Sequence, residues 1–204
     1  MYTPKEHLFE AATELSAVLS KLDIAHAVTG GTALLLLGSD RSTRDVDILV
    51  DAPCTKVRSL VLENSDRFTE NEDLSFVYAN EAGDVVVPFG ILQHGQQSAL
   101  RMPDVHTAPI LVVDNIPIIH PSLLICLKMS RWSWMSDSSR PASALKAQGD
   151  LTDIMFLLRW LVEKGERINF HDIDEDRLEK CMRGFQKLRA KYPEADEMLK
   201  AVLD

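Results

Sequence analysis

Two aspartates separated by a single apolar residue are the first feature of this sequence that could do chemistry. Asp45 and Asp47 lie in the segment RDVDILV, whose alternation of polar and apolar residues predicts a strand. Residues two apart on a strand project from the same face, so the two carboxylates are expected side by side. Such a pair is costly unless a cation neutralises it, and Mg²⁺ commonly uses one or two carboxylates plus substrate phosphates. The pair therefore predicts a magnesium site, with a solvated turn or a helix cap as the alternative.

Two glycines and a threonine precede the aspartates, between the strand-like segment IAHAVT and the helix-forming segment ALLLL. Gly30 and Gly31 have no side chains, so a phosphate could approach their backbone N–H groups closely, and the Thr32 hydroxyl adds a donor. A turn that needs glycine only for its geometry is the alternative. The spacing is neither that of a P-loop nor that of a dinucleotide-binding turn. These residues are candidate nucleotide ligands.

Taken together, the two features resemble the signature of the nucleotidyltransferase superfamily, which includes DNA polymerase β. VTGG followed by DVDIL matches its Gly-Gly and Asp-apolar-Asp elements, and RSTRDVDI is similar to the Arg-X-Thr-X-Asp-X-Asp form of its small bacterial-type members. The resemblance covers residues 20–160. It implies an α+β fold, with a nucleotidyltransferase-type mixed β-sheet flanked by helices and a C-terminal helical region.

The resemblance also implies an activity: transfer of a nucleoside monophosphate from a nucleoside triphosphate to a hydroxyl of a small-molecule, protein or RNA acceptor. Asp45 and Asp47 would hold two Mg²⁺ ions, while residues 30–32 would hold the triphosphate. Arg41 or Arg44 would neutralise phosphate charge, unless these arginines simply pair with the aspartates.

A third carboxylate completes the catalytic site in that superfamily, as a metal ligand and as the base that activates the acceptor. The corresponding segment here, DVVVPFGIL, is apolar in its middle and leaves Asp84 at its start as the expected third acid. Pro88 predicts that this strand is an edge strand or contains a bulge. If Asp84 does not reach the metal, the alternative is a catalytically impaired protein of the same fold that binds a nucleotide or a partner.

The helical segment HPSLLICLKM, followed by KAQGDLTDIMFLL, is similar to a stretch of small and toxin-type nucleotidyltransferases. Lys128 is therefore a candidate ligand of nucleotide phosphate, with an ordinary solvated helix lysine as the alternative. Asp150 and Asp153 lie three apart on one helix face and are interpreted as structural, either anchoring the helices or pairing with Lys146.

Composition limits the remaining possibilities. The chain has 204 residues and a net charge of −9, which argues against a broad basic surface and favours a small-molecule or protein acceptor over nucleic acid. No apolar run is long enough to span a bilayer, and three widely spaced cysteines predict free thiols in the cytoplasm. Helical periodicity replaces strand-like patterns from Pro121 onward. We therefore predict an α/β core over 1–120 and a helical region over 121–204, packed on the core.

Overall fold

Seven strands of the described chain form one mixed sheet in the first of two units, which are Met1–Ile119 and His120–Asp204. The computed structural model describes residues 3–71, 75–95, 102–171 and 173–203. The strands are β1 (His26–Thr29), β2 (Val46–Val50), β3 (Phe68–Glu70), β4 (Phe76–Ala79), β5 (Val86–Gln93), β6 (Ile110–Val113) and β7 (Ile116–Ile119). Their order across the sheet is β3-β4-β5-β2-β1-β7-β6. This mixed sheet with its helices confirms the predicted α+β fold class.

The helices follow the apolar periodicity of the sequence. The first unit contains α1 (Lys5–Lys21), α2 (Gly30–Leu36) and α3 (Cys54–Asn64), and the second contains α4 (Pro121–Met135), α5 (Pro141–Lys164), α6 (Glu175–Lys191) and α7 (Pro193–Leu203). Leu8, Leu15 and Leu19 of α1 are fully buried because they recur on one helix face. Leu37 is the C-cap residue of α2, and Gly38 follows it at a φ of 96°, a conformation that glycine adopts readily. No described helix combines the length and apolarity that a membrane span requires.

The strand register places the aspartate segment in the middle of the sheet. Asp47 of β2 is paired with Thr29 in antiparallel β1 on one side and with Gly90 in parallel β5 on the other. The next residue along the chain from Thr29 is Gly30, the first residue of α2. The turn from β1 to α2 therefore lies beside the carboxylate-bearing end of β2.

Strand β5 is an interior strand, so the first of the two alternatives predicted from Pro88, an edge strand, is wrong, and the second, a bulge, stays a prediction. Residues 86–88 pair with β4, and residues 89–93 pair with β2. Pro88 is thus the last residue of one ladder and lies just before the other. Proline has no backbone N–H to donate to a neighbouring strand. It is tolerated at residue 88 because this residue pairs with β4 only and has no partner in β2.

Side-chain caps mark the start of two helices of the second unit, α4 and α6. The Nδ1 atom of His120 accepts a hydrogen bond from the Ser122 amide at 3.2 Å, and Pro121 occupies the first helical position of α4. Asp174 caps α6 by accepting from the Arg177 amide at 3.0 Å.

All three cysteines are free, and burial raises the pKa of the Cys126 thiol well above its usual range.

Candidate active site

The carboxylate of Asp47 lies between two glycines, one on each neighbouring chain segment. A Cβ atom added at Gly30 would overlap Oδ2 of Asp47, and a Cβ atom added at Gly90 would overlap Oδ1. Gly30 also has a φ of 65°, a conformation that other residues rarely adopt. The half-buried Asp47 carboxylate therefore occupies space that exists only because both positions lack a side chain.

Asp45 is exposed, lies just before the first residue of β2, and accepts hydrogen bonds from two buried threonines. The Thr32 hydroxyl donates to the Asp45 backbone carbonyl at 2.8 Å, and the Thr43 hydroxyl donates to Oδ1 of Asp45 at 3.0 Å. The predicted role of Thr32 as a phosphate donor has to be corrected, because its side chain is 0% exposed and its hydroxyl proton is used within the protein. Thr32 positions the acid pair instead.

Gly31 is also buried, and the loop that leads to Asp45 packs directly on it. A Cβ atom at this position would lie 2.5 Å from Oγ1 of Thr43 and 3.3 Å from Cζ of Arg41. The glycine therefore allows Thr43 and Arg41 to approach α2. Its role in binding the triphosphate stays a prediction. The second arginine of the loop, Arg44, is exposed and immediately precedes Asp45.

The structure does not bring Asp84 together with Asp45 and Asp47. Asp84 lies in the exposed turn between β4 and β5, where its Oδ1 accepts a hydrogen bond from the side-chain Nδ2 of Asn80 at 2.7 Å. It is six residues before Gly90, the register partner of Asp47, which is about 20 Å along an extended chain. The expectation that Asp84 is the third metal ligand has to be corrected. Asp84 precedes the first residue of β5, whereas the residue of β5 that lies beside Asp47 is Gly90.

Gly90 and Thr43 were not among the residues predicted from the sequence. A glycine inside an otherwise apolar strand often marks a place where another group approaches closely, and this signal could have identified Gly90. On β5, Pro88 lies two residues before Gly90 and is expected on the same face by the alternation of a strand. The Pro88 side chain is exposed. Because β5 contains no acidic residue, this face of the strand presents no carboxylate beside Asp47.

Lys128 belongs to the second unit and is engaged in a buried ion pair. Its Nζ lies 2.7 Å from Oδ2 of Asp153, and the two side chains are 8% and 4% exposed. One turn away, both oxygens of Asp150 contact the Arg131 guanidinium. The two aspartates are thus structural, as predicted, with Lys128 and Arg131 as partners where Lys146 had been considered. Lys128 would have to break its ion pair to bind a nucleotide, so we leave it out of the proposed site.

The donor set of the acid pair fits Mg²⁺ with bound substrate. Within the described residues, no group of three or more His, Cys, Asp and Glu side chains is arranged to hold a metal ion. Mg²⁺ seldom needs such a cage, since it keeps several water ligands and is commonly bound by one or two carboxylates together with substrate phosphates. Asp45 and Asp47 are the two carboxylates of the first unit that would hold such an ion.

The chain shares its fold with a nucleotidyltransferase-like protein of known structure. A crystal structure of an antigenic nucleotidyltransferase-like protein from Paracoccidioides brasiliensis is similar to this chain, with a TM-score of 0.67, 18% sequence identity and 95% of each chain covered. A solution structure of the antibiotic-resistance factor ANT(2'')-Ia aligns with a TM-score of 0.43 and 14% identity over 91% of this chain and 92% of that one. No protein-family model and no curated protein sequence matches this chain.

Proposed function

We propose that this protein is a Mg²⁺-dependent nucleotidyltransferase that binds a nucleoside triphosphate at the first unit and transfers its nucleoside monophosphate, releasing pyrophosphate. The single observation that supports this most strongly is the carboxylate of Asp47 lying between Gly30 and Gly90. Glycine on both sides leaves the acid bordered by bare main chain, which is the surrounding that a bulky phosphate group requires. The fold shared with a nucleotidyltransferase-like protein agrees with this proposal.

Each residue of the site has a distinct role in the proposal. Asp45 and Asp47 bind Mg²⁺, and the cation, when bound, stabilises negative charge on the reacting phosphate. Arg41 and Arg44 lie on the loop before the acids and supply positive charge for the phosphate groups of the substrates, which guanidinium groups bind well because their donors match phosphate oxygens. Thr32 and Thr43 keep Asp45 in place through their hydrogen bonds.

Calorimetric titration with ATP, CTP, GTP and UTP, with and without Mg²⁺, tests the proposal. We expect at least one nucleotide to bind in a Mg²⁺-dependent manner, and Asp47→Asn to weaken its binding by at least about tenfold, or ~1.4 kcal/mol. Asp84→Asn is the matched control, since it changes an aspartate in the β4–β5 turn and should leave the affinity unchanged. Absence of nucleotide binding, or equal affinity of the Asp47→Asn variant, would contradict the proposal.

A second candidate function is favoured by a specific observation, the lack of any acidic residue in β5. In that case the protein binds Mg²⁺ and nucleotide through the same residues but acts as a nucleotide- or partner-binding module without transfer. The two candidates differ in pyrophosphate release: the enzyme releases it in the presence of an acceptor, whereas the binding module releases none with any acceptor.

A further inference from the structure

The acid pair creates a chemical problem for a hydroxyl acceptor. An alcohol attacks phosphorus efficiently only when a base within hydrogen-bond reach takes its proton. Asp45 and Asp47 cannot both bind a cation and serve as this base. Within the described chain, no third His, Cys, Asp or Glu completes a metal-binding group with them, and β5 offers Pro88 and Gly90 where a carboxylate would face the pair.

We propose, on the basis of the function proposed above, that the acceptor is a phosphate monoester and not an alcohol. The second pKa of a phosphate monoester is about 6, so its oxygen is already ionised at pH 7. That oxygen forms the new bond to the α-phosphorus of the nucleoside triphosphate, and the bond from this phosphorus to the bridging oxygen of the β-phosphate breaks. Pyrophosphate leaves with the electron pair, and the product carries a new phosphate–phosphate linkage. No proton has to be removed from the acceptor.

The charges near the acid pair suit an anionic acceptor. Two phosphate-bearing molecules repel each other, so a site that joins them needs positive side chains in addition to the cation. Arg41 approaches α2 over Gly31, and Arg44 is exposed directly beside Asp45, so both lie on the loop that carries the acids. Arg44, as the more exposed of the two, is the residue we assign to the acceptor phosphate.

Matched acceptors test this assignment. We mix the protein with Mg²⁺ and with the nucleotide for which the protein has the highest affinity. One set of samples then receives glycerol 3-phosphate, ribose 5-phosphate or phosphoserine, and a parallel set receives glycerol, ribose or serine. We expect pyrophosphate release at least about tenfold faster with a phosphorylated acceptor than with its alcohol, since a general base contributes roughly 10²–10⁴-fold to reactions that need one. Phosphorus NMR should show the phosphate–phosphate linkage, and the rate should be constant between pH 7 and 9. Calorimetry with a non-hydrolysable nucleotide should show binding of the same phosphorylated acceptor.

Variants of β5 and of the loop make the test independent of a single substrate. Pro88→Asp introduces a carboxylate at an exposed position of β5 and should raise transfer to the alcohols at least about tenfold, whereas Pro88→Asn, of the same shape, should not. Arg44→Gln should raise the KM for the phosphorylated acceptor more than it weakens nucleotide binding.

The outcomes separate this inference from the function on which it rests. If no nucleotide binds, the proposed function fails. If nucleotide binds but the alcohols react as fast as the phosphorylated acceptors, or if neither group reacts, the assignment of a phosphate monoester is overturned while nucleotide binding stands. Equal effects of Pro88→Asp and Pro88→Asn on alcohol transfer would also contradict it, because a missing base would then not be the cause.

Discussion

Asp47 and Gly90 are register partners on adjacent parallel strands, and the Oδ1 atom of Asp47 lies where a Cβ atom of residue 90 would be. The same carboxylate borders Gly30 with its other oxygen. The orientation of the acid therefore depends on two residues that have no functional group. This relationship connects the packing of the sheet with the chemistry proposed for the site.

A methyl group at residue 90 should displace the acid. We expect Gly90→Ala to weaken Mg²⁺-dependent nucleotide binding by about tenfold or more, because the Asp47 carboxylate has to rotate away from its present position. Calorimetric titration measures the affinity, and circular dichroism with urea unfolding measures whether the fold persists.

Gly149→Ala is the control for this variant. Gly149 is exposed in α5, and a Cβ atom there would meet nothing within 4 Å. This substitution should increase the free energy of unfolding by about 0.5–1 kcal/mol, as expected for alanine replacing glycine in a helix, without changing nucleotide affinity. A Gly90→Ala variant with unchanged affinity would show that the position of Asp47 is not important for binding.

The buried ion pair of the second unit should respond strongly to loss of one partner. Lys128→Met leaves Asp153 buried without the ammonium that lies 2.7 Å from it, so we expect a loss of about 3–5 kcal/mol in the free energy of unfolding. Lys128→Met combined with Asp153→Leu should recover most of that loss, because both charges of this pair are then removed together. Urea unfolding measures both effects.

An exposed ion pair provides the comparison. Lys180 lies 2.5 Å from Asp176 on the surface of α6, with side chains 41% and 52% exposed. Lys180→Met should therefore change the free energy of unfolding by only about 0.3–0.5 kcal/mol. Similar losses for Lys128→Met and Lys180→Met would contradict the structural role that we assign to the buried pair.

His26 should make the stability of the protein depend on pH. Its Nδ1–H donates to the Ile24 carbonyl at 2.8 Å, and in the neutral ring Nε2 accepts from the Ser16 hydroxyl at 2.9 Å. Burial lowers the pKa of His26 below its usual 6.5, against smaller opposing effects of the Ile24 carbonyl and of Asp51.

Because the unfolded chain then binds a proton more readily than the folded one, the contribution of His26 is fully present above pH 6.5 and is lost as the pH falls below it. We expect the free energy of unfolding to fall between pH 7.5 and pH 5, and to fall less in His26→Gln, which cannot titrate. Urea unfolding at several pH values measures the difference. An identical pH dependence of the two proteins would show that His26 titrates alike in both states.

Local patterns in the sequence were sufficient to predict much of the fold. The alternation in DVDILV predicts β2, and the apolar spacing and flanking residues of CTKVRSLVLEN predict α3. The prediction that Asp45 and Asp47 share a face rests on the same short-range alternation. In the structure β2 begins at Val46, so Asp45 lies just before the strand and only Asp47 is part of it. In contrast, β3 is only three residues long and was not predicted, since so short a segment carries no periodicity.

The sequence by itself determined which residues of this protein are acidic, which lack side chains, and which helices and strands carry them. Only the tertiary structure decided that Gly90 and not Asp84 lies beside Asp47, that Gly31 is covered by Thr43, and that the Thr32 hydroxyl holds the backbone of Asp45. The physical reason is that strand register and loop packing join residues far apart in the chain. Their energies depend on the whole sheet and are not encoded in any short segment.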